Sequence, residues 1–179
     1  GATRLETAAE VAARFPASSD PLICRAYPTS TDPTQAFGDA LAAGGLAATR
    51  RAPLLLTETD RLSPAARDHL TGAAVGSVTI IGGPAAIGTD VEEELGGLGL
   101  TVDRVAGATR FGTAAAIADL HSDPHAATTI LLVDGQAPDA WLDGFCAALT
   151  AAITRGVILL TNGDNLPTES AERLGYRAG

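Results

Sequence analysis

The chain contains no lysine and no methionine, and all twelve of its basic residues are arginine. Against 21 acidic residues these leave a net charge of −9, with no basic tract anywhere. Non-specific nucleic-acid binding draws its affinity from neutralising phosphates with Lys and Arg, so this balance argues against it. Four Phe, two Tyr and one Trp leave little surface for stacking bases. No 18-residue uncharged apolar run occurs, so no segment is predicted to span a membrane. Gly-x-Gly-x-x-Gly and Gly-Lys-Ser/Thr are both missing, and a bound nucleotide or other cofactor is not expected. The two cysteines, Cys24 and Cys146, form no metal or redox motif. They read as small buried hydrophobes, with a disulfide between them left open. Without an initiator methionine the chain reads as a piece of a longer protein, so the lack of a leader peptide says nothing. The heavy use of Ala, Gly and Arg suggests a GC-rich coding sequence.

What is present is a duplication. Gly1-Ala-Thr-Arg-Leu-Glu-Thr-Ala-Ala-Glu-Val-Ala12 returns as Gly107-Ala-Thr-Arg-Phe-Gly-Thr-Ala-Ala-Ala-Ile-Ala118, with eight of twelve positions identical at an offset of 106. Asp39 to Thr57 then lies over Asp143 to Thr161 at an offset of 104, which puts an indel between Tyr27 and Phe37. A repeat this long is a whole supersecondary unit. The division is therefore expected at 1–106 for a complete copy and 107–179 for a partial one, without a counterpart of Val75 to Val105.

Helix and strand patterns alternate. Residues 3–15 carry Leu5, Ala8, Ala9 and Ala12 at helical spacing, opened by the capping-box pair Thr3 and Glu6, which Gly112 breaks in the second copy. Residues 22–26 and 53–57 read as buried strands, and 78–81 and 100–105 as a third and a fourth strand. Helices are expected over 39–51, from Ser63-Pro64, and from Thr89 or Asp90, the last with Glu92, Glu93 and Glu94 largely outward. The second copy repeats the order: helix 109–121, strand 129–133, helix 141–155, strand 157–160, helix 168–174. Continuous apolar strands between amphipathic helices predict an α/β fold with a mostly parallel sheet flanked by helices on both faces.

Gly-x-x-Arg-x-x-Thr-Ala opening a helix, Asp-Ala-Leu-Ala in the next, the strand Pro-Leu-Leu-Leu-Thr and the strand end Ile-Ile-Gly-Gly together resemble the cell wall-binding repeat 2 family. The resemblance implies a Rossmann-like fold without a nucleotide site, and a non-catalytic module of Gram-positive surface and secreted proteins. Such modules usually occur in tandem, commonly three. They hold their protein to the cell wall non-covalently, through anionic secondary wall polymers, which implies an extracellular location. The family's strand motif falls on Pro53, Leu54, Leu55 and Leu56, and in the second copy on Val157, Ile158, Leu159 and Leu160. Its arginine falls on Arg4 and Arg110, its threonine on Thr7 and Thr113, and its aspartate on Asp39 and Asp143.

Each candidate has a plain alternative. The strand-motif residues are expected to be core. Arg4 and Arg110 sit at helix starts, where the macrodipole disfavours a cation. Either an ion pair with an aspartate such as Asp39 or Asp143 compensates, or each guanidinium meets a phosphate or carboxylate of the polymer. Asp39 and Asp143 read first as helix caps. Ile81-Gly82-Gly83-Pro84 reads as a sharp turn at a strand end, the part of an α/β fold where ligands bind. His121, Asp123 and His125 are spaced too irregularly for a metal site, and no metal is expected. The anionic wall polymer or glycan would be gripped near strand C-terminal ends or between the copies, by Arg4, Arg50, Arg51, Arg104 and Arg110 with Asp39 and Asp143. A small α/β enzyme or nucleotide-binding protein on the duplicated scaffold is one alternative. A structural module that self-associates or joins further repeats is another.

Overall fold

Mostly apolar strands, flanked by helices with one apolar face, assemble here into two parallel sheets. The computed structural model describes residues 1–16, 20–30, 32–120 and 129–175. The first copy runs α1 (Arg4–Ala12), β1 (Leu22–Arg25), a 3-10 turn (Pro33–Ala36), α2 (Gly38–Arg50), β2 (Leu54–Thr57), α3 (Pro64–Gly72), β3 (Ser77–Ile81), α4 (Thr89–Gly97) and β4 (Thr101–Val105). The second runs α5 (Arg110–Asp119), β5 (Ile130–Asp134), α6 (Ala140–Thr154), β6 (Val157–Thr161) and α7 (Thr168–Arg173). Strands β2-β1-β3-β4 form one sheet and β5-β6 a second, with every strand pair parallel.

Alternate side chains of the larger sheet serve two cores. Ile23, Leu55, Val78 and Ile80 pack under α1, α3 and α4 with Leu70, Val91 and Leu95. Leu22, Cys24 and Ile81 face the other way, onto α2, and that core continues through Ile117, Val133, Ile158 and Leu160 of the second copy. Leu55 is fully buried, as are Leu159 and Leu160, but Leu54 and Leu56 are only half-buried on the open face of this edge strand, so the first copy's strand motif is core on one face alone, contrary to expectation. Burying a side chain of this size contributes about 1.5–3 kcal/mol. Small residues let α2 and α6 approach closely. A methyl group added at Gly44 would lie 2.6 Å from the Ala148 Cβ, and one at Gly144 would overlap Leu41.

Local signals act as expected at most helix ends. Thr3 and Glu6 form the capping box, and Thr109 caps α5 with no reciprocal partner. Ser63 caps α3, followed by Pro64. Helices α2 and α6 both end on a left-handed arginine, Arg51 (φ 52) and Arg155 (φ 54), a conformation that favours glycine.

Four more expectations need correction. The expected indel is two compensating ones: Leu22 faces Leu54 as Leu131 faces Ile158, so β1 corresponds to β5 with Arg25 over Asp134. The segment before that strand is longer in the second copy, and the loop after it is shorter. Neither Asp39 nor Asp143 caps its helix; both lie in the first turn, and no side chain caps α2 or α6. Cys24 is buried but Cys146 is exposed, and both are free thiols. Of the α4 glutamates only Glu93 points fully outward: Glu92 pairs with Arg104, and Glu94 pairs with Arg67.

Candidate functional site

Parallel topology brings the C-terminal ends of β1 and β3 beside the start of α5, and a cleft of about 380 Å³ opens there between the two copies. Arg25 ends β1 where its alternation would otherwise continue with an apolar side chain. Its Nε donates to the Gln35 carbonyl at 2.9 Å and its Nη1 to that of Ala85 at 3.4 Å. Burial pushes the Arg25 pKa down, with Asp39 opposing. A guanidinium with this environment keeps its charge and donors aimed at a partly dried space.

Asp39 enters the same cleft from the first turn of α2. Its carboxylate lies over the backbone of Gly82, whose φ of +107° and lack of a Cβ both permit the approach; a methyl there would come 2.6 Å from Oδ2. Burial raises the Asp39 pKa, while Arg25, the Thr113 hydroxyl and Arg110 each pull it down.

Arg110 closes the cleft from α5. Its Nη1 donates to the Gly135 carbonyl at 2.5 Å and to Thr34 Oγ1 at 2.6 Å, and its Nη2 pairs with Asp32 at 3.3 Å. Thr34 in turn donates twice to Asp32, and these bonds hold the Asp32 pKa below the usual range. The expected pairing of Arg110 with Asp39 or Asp143 is thus replaced by one with Asp32, on a loop the second copy lacks.

Arg4 repeats only half of this arrangement. Its Nη1 donates to the Ala26 carbonyl at 2.9 Å, the counterpart of the Arg110 bond to Gly135, and its guanidinium lies 5.1 Å from the Tyr27 ring centre. Among the described residues it has no acidic partner. Arg4, Arg50 and Arg51 line a second, larger groove of about 1490 Å³ along α1 and the end of α2, joined there by Arg14. Arg104 lies in neither cavity: it bonds Glu92 at 2.7 Å and the carbonyls of Gly82 and Ile87. Asp143 is exposed and apart from both. The candidates therefore separate into a cleft set, a groove set and two that belong to neither.

Sequence reasoning missed Arg25, Arg14, Asp32 and Thr34. Only Arg25 left a signal, as a charge at the end of an apolar strand. Among the described residues no three His, Cys, Asp or Glu side chains converge as metal ligands. His121, Asp123 and His125 lie outside the described residues.

The cell wall binding domain 2 (CWB2) description matches residues 1–92 and again 104–176, one match for each half of the duplicated fold. The chain belongs to this family. Among curated relatives of this CWB2 chain, the N-acetylmuramoyl-L-alanine amidase LytC of Bacillus subtilis (strain 168) is 35% identical over 82 residues. That stretch is 46% of this chain and 16% of LytC. Among solved structures, Cwp6 from Clostridium difficile superposes with a TM-score of 0.82 at 25% identity, over 97% of this chain and 26% of that one. Cwp8 from the same organism gives 0.78 at 28%, over 97% and 28%. The CWB2 chain thus spans between about a sixth and a little over a quarter of the proteins it matches.

Proposed function

We propose that this chain is a non-catalytic anchoring module that holds the protein carrying it to the outside of the cell, by non-covalent contact with an anionic secondary polymer of the wall. The observation that carries this reading is the cleft built jointly by the two halves of a wall-binding family fold. It offers Arg25 and Arg110 for a phosphate or carboxylate, and Asp39, Thr29 and Thr109 for sugar hydroxyls. A guanidinium fork suits either anion, and charge-assisted hydrogen bonds are stronger than neutral ones. The local arginines matter because the chain as a whole is acidic.

Of the residues expected to bind, Asp39 and Arg110 act here, with Arg25 added. Arg104 serves the fold through Glu92 and two carbonyls. No catalytic step is assigned to any of them. The test fills the cleft from its rim. Ala108 is exposed and lines it, so Ala108→Trp blocks the space without touching the core. Binding to isolated walls should fall by about tenfold or more, a loss of roughly 1.4 kcal/mol, with an unchanged melting temperature. Undiminished binding by a folded Ala108→Trp protein would remove the cleft from the account.

A further inference from the structure

Strands β1 and β2 are neighbours in the sheet, and the loops that leave their C-terminal ends enclose a recess of about 390 Å³ beside the cleft. Residues 27–29 line it from one loop and residues 58–61 from the other. Thr29 lines both cavities. It is fixed between them by Gln35, whose Oε1 accepts from the Thr29 amide and from its hydroxyl, each at 3.3 Å. The two spaces are therefore adjacent, with one residue dividing them.

The recess has a different chemistry from the cleft. Tyr27 gives it an aromatic surface, 36% exposed. The Arg4 guanidinium, 5.1 Å from the ring centre, holds Tyr27 in place without lining the recess itself. Glu58 and Asp60 come from the second loop. Arg61 is committed to Glu58 by two hydrogen bonds, and Asp60 has no ion pair among the described residues. The recess thus carries surplus negative charge, so an anion drawn to Arg25 and Arg110 is repelled here. Carboxylates accept hydrogen bonds and donate none, which suits them to hydroxyl groups.

Thr59 supplies a group that the fold leaves unused. Its Oγ1 is buried and has no hydrogen-bond partner among the described residues. Its backbone is satisfied, the carbonyl accepting from the Gly88 amide at 2.7 Å. Buried polar groups are nearly always paired, and one side-chain rotation redirects a threonine hydroxyl. None of these features recurs in the second copy, where strand register puts Gln136 in place of Tyr27 and Gly163 in place of Thr59.

We infer that this recess is a second subsite, which takes an uncharged sugar ring next to the anionic group held in the cleft. The apolar C–H face of the sugar packs on Tyr27, and its hydroxyls bond Thr59, Glu58 and Asp60. The inference rests on the anchoring reading above and narrows its ligand. A polymer in which a neutral sugar adjoins a charged unit fits the pair of cavities; a polymer charged at every unit does not.

Two measurements test the subsite, on variants whose folding is checked by circular dichroism. In co-sedimentation with isolated walls, Tyr27→Ala should bind about tenfold more weakly than wild type, and Tyr27→Phe, which keeps the ring, should recover most of that loss. Thr59→Val keeps the side-chain shape and removes the hydroxyl, so binding should fall roughly threefold or more. Its melting temperature should stay level or rise, whereas a structural role for the hydroxyl would lower it. The second measurement is saturation-transfer NMR. Its probe is the pool of uncharged oligosaccharides from acid-extracted walls, freed of anions on an exchange resin. Wild type and the cleft-blocked Ala108→Trp should both transfer saturation to this pool, and Tyr27→Ala should not. Tyr27→Ala or Thr59→Val pelleting like wild type, or a neutral pool that wild type ignores, would overturn the subsite. Failure of the anchoring reading is distinct: Ala108→Trp would then pellet like wild type, whatever the Tyr27 variants do.

Discussion

Arg110 and Arg4 occupy the same place in their respective copies, yet the structure gives them unequal work. Each donates to the carbonyl that follows the first strand of its own copy, Gly135 or Ala26. Arg110 alone crosses to the other copy, binding Thr34 Oγ1 and Asp32. Its side chain is 17% exposed, whereas Asp32 is 43% exposed, so the ion pair itself is partly screened and counts for little. Hydrogen bonds from a charged donor contribute about 1.5–3 kcal/mol each and are not additive. Two such bonds and a weak pair put Arg110→Ala at a loss of about 3 kcal/mol. Arg4→Ala loses one bond and an exposed cation–π contact of about 0.5–1 kcal/mol, for a total near 2 kcal/mol at the same low end of the range. At about 2–4 °C per kcal/mol for a chain of this length, melting should fall by roughly 6–12 °C for Arg110→Ala and about 4–8 °C for Arg4→Ala. Calorimetry on the two variants and wild type reads both shifts. A cycle adding Thr34→Ala should show coupling of about 1 kcal/mol with Arg110 and none with Arg4. Equal losses for the two arginines, or no coupling to Thr34, would refute the idea that Arg110 clamps the copies together.

Leu55→Asp places a carboxylate in a fully buried strand position, and it should unfold the chain at 25 °C; a cooperative melting transition for this variant would contradict the core assignment. Asp39 has a raised folded-state pKa, so the cost of its buried charge is relieved as pH falls through that value towards the ordinary aspartate range. Between pH 7 and pH 4 wild type should therefore gain stability relative to Asp39→Asn, as read from urea midpoints; parallel pH profiles would contradict this. Arg155→Gly removes a left-handed conformation costing roughly 1–2 kcal/mol and adds chain entropy to the unfolded state, for a net stabilisation of about 0.5–1 kcal/mol. A lower urea midpoint for this exposed site would show that the Arg155 side chain contributes in another way.

Much of the fold was legible because its signals are local. Continuous apolar runs mark parallel strands, and both Val157–Thr161, buried on both faces, and Leu54–Thr57, buried on one, were read from that signal. Cap residues such as Thr3 and Ser63 declare their helices within three residues. The cleft is different in kind. Arg25, Asp32, Asp39 and Arg110 come from four segments, joined by crossovers that pass over the sheet. Looking for residues shared by both copies also worked against finding them: Arg25 corresponds to Asp134, and the Asp32–Thr34 turn belongs to the first copy alone. Asp143 showed the reverse error. It matches Asp39 in sequence but lies exposed, whereas Asp39 lies over Gly82.

The central claim is that this chain holds an anionic wall polymer, and co-sedimentation with isolated cell walls tests it most directly. Walls from the source organism are compared before and after acid extraction of their secondary polymers. The account expects the protein to pellet with intact walls and to remain in the supernatant over extracted ones. Equal binding to both wall preparations, or none to intact walls by folded protein, would contradict it.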